Sequence, residues 1–169
     1  MDVRVRVVER GGVSLKSHLV KTDLGAGTPC RQEDCVLCLT NPQEGGGLNH
    51  HRSSAVYSGT CLICQQIQGE EFSAAYIGET GASGYIRTSD HKASIERKDM
   101  NTAFAKPLAY HHQDRQGDFR AFAFSVLKTF KSSLYRQVTE AVKIHGSKAS
   151  IVMNSKLEWH KPLTRPCKI

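Results

Sequence analysis

Tyr76, Arg87 and His91 are residues that could do chemistry together. Arg87 and His91 lie four apart, which on a helix puts them on one face. The stretch before them, Ala74-Ala75-Tyr76-Ile77, is small, aromatic or β-branched and reads as a strand. Gly78, Gly81 and Gly84 then demand turns, or a backbone that comes close to another group. A guanidinium grips phosphate oxygens with a rigid fork of N–H donors, while imidazole and phenol groups hold or pass protons. Converging beside a glycine-rich turn, the three suit a site that handles phosphate.

A second constellation is Cys30-x4-Cys35-x2-Cys38, followed after Gly45-Gly46-Gly47 by His50 and His51. Zinc prefers four tetrahedral sulfur or nitrogen ligands, and a Cys-x2-Cys turn places two thiolates on one ion. Cys30 supplies a third, and the fourth is open among His50, His51 and the Cys61-x2-Cys64 pair. Five of the six cysteines fall in these two tight groups, a spacing that favours metal over disulfides. Cys61 and Cys64 taken alone read as small thiols packed at a strand end. A second zinc there lacks obvious further ligands, and Cys167 stands apart. The zinc expected at the first cluster is structural, because a loop-rich segment with few core residues needs a staple.

Charge narrows the choice of partner. The chain has 23 Lys and Arg against 16 Asp and Glu, +7 overall, with a pI near 9.2. From Arg120 to Ile169 stand ten of those bases and two acids, Glu140 and Glu158, so this part is net +8 and the rest net −1. A basic C-terminal third is the footprint of a polyanion partner. Lys148, Lys156, Lys161 and Arg165 are its candidate nucleic-acid contacts. Glu140 is the one acid in its basic neighbourhood, and a carboxylate with water and a substrate phosphate is an ordinary Mg2+ environment. A hydrophobic share of 39% and a mean hydropathy of −0.40 fit a soluble globular domain. No apolar run approaches bilayer-spanning length and Met1-Asp2-Val3-Arg4 lacks a signal-peptide core, so no membrane role is expected. A Met just ahead of a strand-like repeat suggests a piece excised from a longer chain.

These residues need elements to position them. Val3, Val5 and Val7 alternate with Arg4 and Arg6 as in a half-buried strand, and Leu15, Leu19 and Val20 suggest a short helix or connector. Ala55–Cys61 reads as a strand carrying Tyr57. A hairpin through Gln65–Glu71, turning at Gly69, then returns as Phe72–Ile77 and brings Tyr57 beside Tyr76. Ser83 or Ser89 caps the Arg87/His91 helix, whose apolar side is Ile86, Ala93 and Ile95. A second helix covers 101–112 with Asn101 as its cap, ending on His111 and His112 as C-terminal cap or site histidine. Phe119–Phe130 alternates as a third strand, with Phe122, Phe124 and Val126 on one side. Residues 132–144 form the clearest helix, capped by Ser132 or Ser133, with Leu134, Val138, Ala141 and Val142 as its apolar stripe. Arg136 and Glu140 are spaced for an ion pair along it.

In order, these motifs resemble the GIY-YIG endonucleases. Tyr76-Ile77-Gly78 is similar to the second half of that signature, and Val56-Tyr57 sits where the first half belongs, although Ala55-Val56-Tyr57 lacks the usual glycine and isoleucine. Arg87, His91, Glu140 and Asn154 follow in the family's order. The runs VYSGTCLIC and AYIGETG most resemble the endonuclease domain of Penelope-like retroelements, where the nuclease follows a reverse transcriptase with a cysteine cluster between them. Ser14–Leu24 is similar to what precedes that cluster. The resemblance implies an α/β (α+β) fold with a small three-stranded antiparallel sheet flanked by helices. It divides the chain into a connector arm (1–29), a zinc-binding segment (30–54) and the endonuclease domain (55–169).

The resemblance further implies a nuclear, Mg2+-dependent (or Mn2+-dependent) enzyme that nicks double-stranded DNA and leaves a 3′ hydroxyl to prime reverse transcription. Its partners would include the upstream polymerase domain and its template RNA. Glu140 would be the single protein ligand of Mg2+, and Tyr57 a base or water-positioning hydroxyl with its pKa lowered from ~10 by metal or cations. Arg87 would clamp a phosphate oxygen, Tyr76 and His91 would orient water or phosphate, and Asn154 would fix the loop near the Glu140 helix. His50, seven residues before the first-motif tyrosine, becomes the fourth zinc ligand. Two other readings are a non-catalytic zinc-containing nucleic-acid-binding module and a repair or restriction nuclease on the same core.

Overall fold

The computed structural model describes residues 30, 32–41, 50–68, 74–147 and 151–154. The connector arm, the turn at Gly69, and Lys148, Lys156, Lys161 and Arg165 lie outside the described residues.

Strand β1 (Ser53–Cys61) is central and pairs antiparallel with β2 (Ala74–Ser83) on one side and β3 (Phe122–Thr129) on the other. This is the expected α+β arrangement with a three-stranded antiparallel sheet. The structure adds β4 (Ile151–Val152), two residues paired parallel to Ala74 and Ala75, for a sheet order β3-β1-β2-β4. Ala55, Val56 and Tyr57 are buried in succession, as befits a strand covered on both faces.

The described helices are α1 (Val36–Thr40), α2 (Leu62–Gln68), α3 (Gly84–Glu96), α4 (Ala105–His111) and α5 (Ser133–His145), with 3-10 turns at Gln113–Arg115 and Phe119–Ala121. Residues 65–68, expected to open a hairpin, belong instead to α2. The run Leu62-Ile63-Cys64-Gln65-Gln66-Ile67-Gln68 holds good helix formers and no breaker before Gly69, so it stays helical. Gly78 and Gly81 make no turn, because β2 runs through both to Ser83. The Ser83 side chain accepts from the Ile86 N–H and caps α3, as expected. Thr102, not Asn101, supplies the side-chain oxygen that meets the Ala105 N–H at the head of α4.

One core joins these elements. Phe104 packs edge-on against Phe122 and Phe124 at ring separations of 5.0 and 5.1 Å, and Ile95, Leu108, Val36 and Leu37 share the cluster. Residues of the cysteine segment thus sit in the same core as the sheet, and β1 itself begins at Ser53. The stripe on α5 departs from expectation: Leu134 is 63% and Val142 56% exposed, while Thr139 and Glu140 are buried. Helical periodicity locates an apolar face but not its partner, and here α5 turns its polar side to β1 and β2.

Candidate active site and metal centres

The antiparallel register sets Tyr57 across from Gly78 and Tyr76 across from Gly59. The Tyr57 phenol lies over a residue with no side chain, and the two tyrosine rings are 6.0 Å apart. A Cβ on Gly78 would fall 2.6 Å from both Tyr57 Oη and Tyr76 Cε1. The glycine is thus needed for close approach rather than for a turn, and the Tyr57 hydroxyl ends over β2.

Helix α3 starts directly after β2, so its first turns stand above these phenols. Tyr57 Oη is 2.7 Å from His91 Nε2, and Arg87 Nε donates to the same oxygen at 3.3 Å. Burial, with repulsion from Arg87, drives the His91 pKa down to about 3. A neutral imidazole accepts at Nε2, which fixes the order of the chain: Arg87 N–H to Tyr57 Oη, then Tyr57 O–H to His91. The protein's own groups move the Tyr57 pKa up. Burial is the largest cause and Tyr76 adds to it, while Arg87 opposes without prevailing. Tyr57, Tyr76, Arg87 and His91 form one cluster, with Tyr57 fully buried and the Arg87 side chain 40% exposed.

Glu140 and Asn154 approach by other elements. Glu140 is 1% exposed on α5, which packs on β1 and on β2, the strand beneath the Tyr57 hydroxyl. Asn154 follows β4 and brackets the residue after Tyr76: its Oδ1 accepts the Ile77 N–H at 3.0 Å, and its Nδ2 donates to the Ile77 carbonyl. It therefore pins β2 rather than a loop near the Glu140 helix. Arg136 donates to Glu79, the residue after Gly78, a partner that spacing along α5 did not suggest.

The Sγ atoms of Cys30, Cys35 and Cys38 and a ring nitrogen of His50 all lie within 4.8 Å of one another. His50 Nδ1 is 3.5 Å from Cys35 Sγ and 3.6 Å from Cys38 Sγ. His51 turns outward, meets Cys30 at 3.3 Å and stacks on Tyr85 at 4.9 Å. This group could hold a metal ion such as zinc, with His50 as the fourth ligand. Burial raises the Cys35 thiol and pushes Cys38 up to about 12, so thiolates here need a cation to exist.

Cys61 and Cys64, expected as packed thiols, have a histidine beside them. His112, at the C-terminal cap of α4, brings its Nε2 to 3.2 Å from Cys64 Sγ, and the three ligand atoms lie within 4.8 Å of one another. They form a second group that could hold a metal ion. The Cys-x2-Cys pair and the two adjacent histidines are visible in the sequence; the 48-residue gap between Cys64 and His112 hides their meeting. Among the described residues no cluster of three or more carboxylates exists. Glu140 is a hard oxygen donor of the kind Mg2+ takes, and it is 1% exposed and engaged within the fold.

Compared with known proteins, the chain matches no family model, no curated protein and no solved structure.

Proposed function

We propose that this chain is a Mg2+-dependent DNA endonuclease of the GIY-YIG type, braced by structural zinc and derived from a Penelope-like retroelement. The observation that carries the reading is the hydrogen-bonded chain Arg87–Tyr57–His91 with Tyr76 at its side. A phenol has one donor and two acceptor positions. His91 takes the donor and Arg87 one acceptor position, which leaves one lone pair of Tyr57 to receive a proton from an attacking water.

As that proton arrives, the proton already on Tyr57 passes to His91 Nε2. A standing phenolate or imidazolium is costly at this depth, so the transfer keeps step with formation of the new P–O bond. His91 gives the proton up again as the 3′ oxygen departs and is protonated to the hydroxyl. Arg87 has its Nε on Tyr57 and its Nη1 only loosely near Asp90, at 3.9 Å. Its terminal nitrogens are thus free to clamp a non-bridging phosphate oxygen. Asn154 and Gly78 keep Tyr76 and Tyr57 in register. Bound at Glu140, Mg2+ would neutralise charge on the phosphate and on the departing 3′ oxygen. The product is a nick with a free 3′ hydroxyl, suited to priming reverse transcription by a linked polymerase in the nucleus. Lys148, Lys156, Lys161 and Arg165 would track the DNA backbone.

The test is supercoiled plasmid incubated with and without Mg2+, comparing the wild type with Glu140→Ala. Mg2+-dependent nicking that the variant loses, with DNA retention in a gel-shift assay preserved, is the expected result. Nicking at an equal rate by the variant defeats the assignment, and salt-sensitive binding with no nicked product favours the non-catalytic module.

A further inference from the structure

Helix α5 lacks the usual means of attachment. Its apolar side chains Leu134, Val138 and Val142 are exposed and Ala141 and Ile144 only half-buried, so hydrophobic burial does little to hold it on the sheet. The side that meets β1 and β2 carries Arg136, Thr139 and Glu140, spaced i, i+3 and i+4. Arg136 Nε donates to Glu79 Oε2, and the two side chains are only 12% and 18% exposed. Glu79 directly follows Gly78, over which the Tyr57 hydroxyl lies. The pair therefore ties α5 to β2 one helical turn before Glu140.

We propose that Arg136 and Glu79 are positioning residues, a buried ion pair that sets the height and rotation of α5 and so fixes where Glu140 stands against β2. This rests on the endonuclease reading, with Glu140 as the essential carboxylate. A forked guanidinium suits the task because it fixes orientation as well as distance, which an ammonium does not. Neither residue needs to touch DNA or metal. Their loss should lower turnover and the response to Mg2+ without weakening DNA binding.

The experiment measures plasmid nicking by the full chain across a Mg2+ titration for the wild type, Glu79→Gln, Arg136→Lys, Arg136→Gln and the swap Glu79→Arg/Arg136→Glu. Thermal unfolding of each is followed in parallel. Displacement of a reacting group by about 1 Å costs ~100-fold, so Glu79→Gln and Arg136→Gln should lower kcat by roughly 10- to 100-fold with KM for DNA little changed. Their Mg2+ midpoints should rise, Arg136→Lys should fall between, and the swap should regain about tenfold over the single variants. Folded single variants with wild-type kcat and Mg2+ midpoint overturn the proposal. So does a loss that only follows the unfolded fraction, or a rise in KM alone. A wild type that never nicks under Mg2+ instead sinks the endonuclease reading and takes this proposal with it.

Discussion

Helices α3 and α5 are each 13 residues long and pack on the same pair of strands, yet they are built on opposite plans. Helix α3 has little segregation of apolar and polar residues; it buries Thr88, His91 and Ile95 and leaves Ile86 exposed. It is braced from outside by the first Cys/His group. Tyr85 donates to Asp34 at 3.1 Å, α1 packs along it, and His51 lies on the Tyr85 ring. Helix α5 has the strongly amphipathic pattern, but the polar side goes in and the apolar side stays out. The difference teaches that an inward face is chosen by what the neighbouring strands offer. Beneath α3 is a mixed floor of phenols and Phe104, whereas α5 finds Glu79 on β2.

The largest test of this contrast is on turnover. Arg87→Ala removes the exposed clamp of α3 and should lower nicking by ~1,000-fold with DNA binding kept; near-normal turnover would move the phosphate clamp off α3. Next, replacing Cys35 by Ser, or stripping zinc with a chelator, should loosen α3 more than α5. Hydrogen exchange would register faster amide exchange across 84–96 than across 133–145, and equal loosening would mean that the metal group braces the whole fold. A third comparison sets Ile95→Ala against Val142→Ala. Truncating the buried α3 residue should cost about 2–5 kcal/mol in denaturant unfolding, and the exposed α5 residue no more than ~0.5 kcal/mol. A large cost at Val142 would show that its face is covered in solution.

The smallest effect concerns protons. His91 is neutral in the folded protein down to about 3, whereas its unfolded value is near 6.5. Between those values the unfolded chain binds the extra proton, so stability is full above pH 6.5 and falls as the pH is lowered. The slope from this residue is at most ~1.4 kcal/mol per pH unit, and His91→Asn should flatten it. Unfolding midpoints measured from pH 7 to pH 4 that show no difference between the two proteins would place His91 in a wetter setting than its contacts with Tyr57 and Phe104 indicate.

How much of this could be read before folding depends on the range of each interaction. The strand at Tyr57, the helix at Arg87 and His91 and the Ser83 cap are local. They follow from β-branched runs, four-residue spacing and one hydroxyl, and the structure keeps them. The Cys30–Cys38 spacing likewise announced a group able to hold a metal ion, because a turn brings its cysteines together within a few residues. Distant encounters were not legible. Nothing local says that His112 will join Cys61 and Cys64, that Arg136 will pair with Glu79 on β2, or that Asn154 will bracket Ile77. The upward push that the protein's own groups give the Tyr57 pKa was hidden for the same reason. Sequence shows the cation nearby, but only the packed core decides that lost hydration outweighs it. The chain alone determined which groups could act and which elements carry them. Which way those elements face, and which charges end up paired or stripped of water, is a property of surfaces brought together from far along the chain.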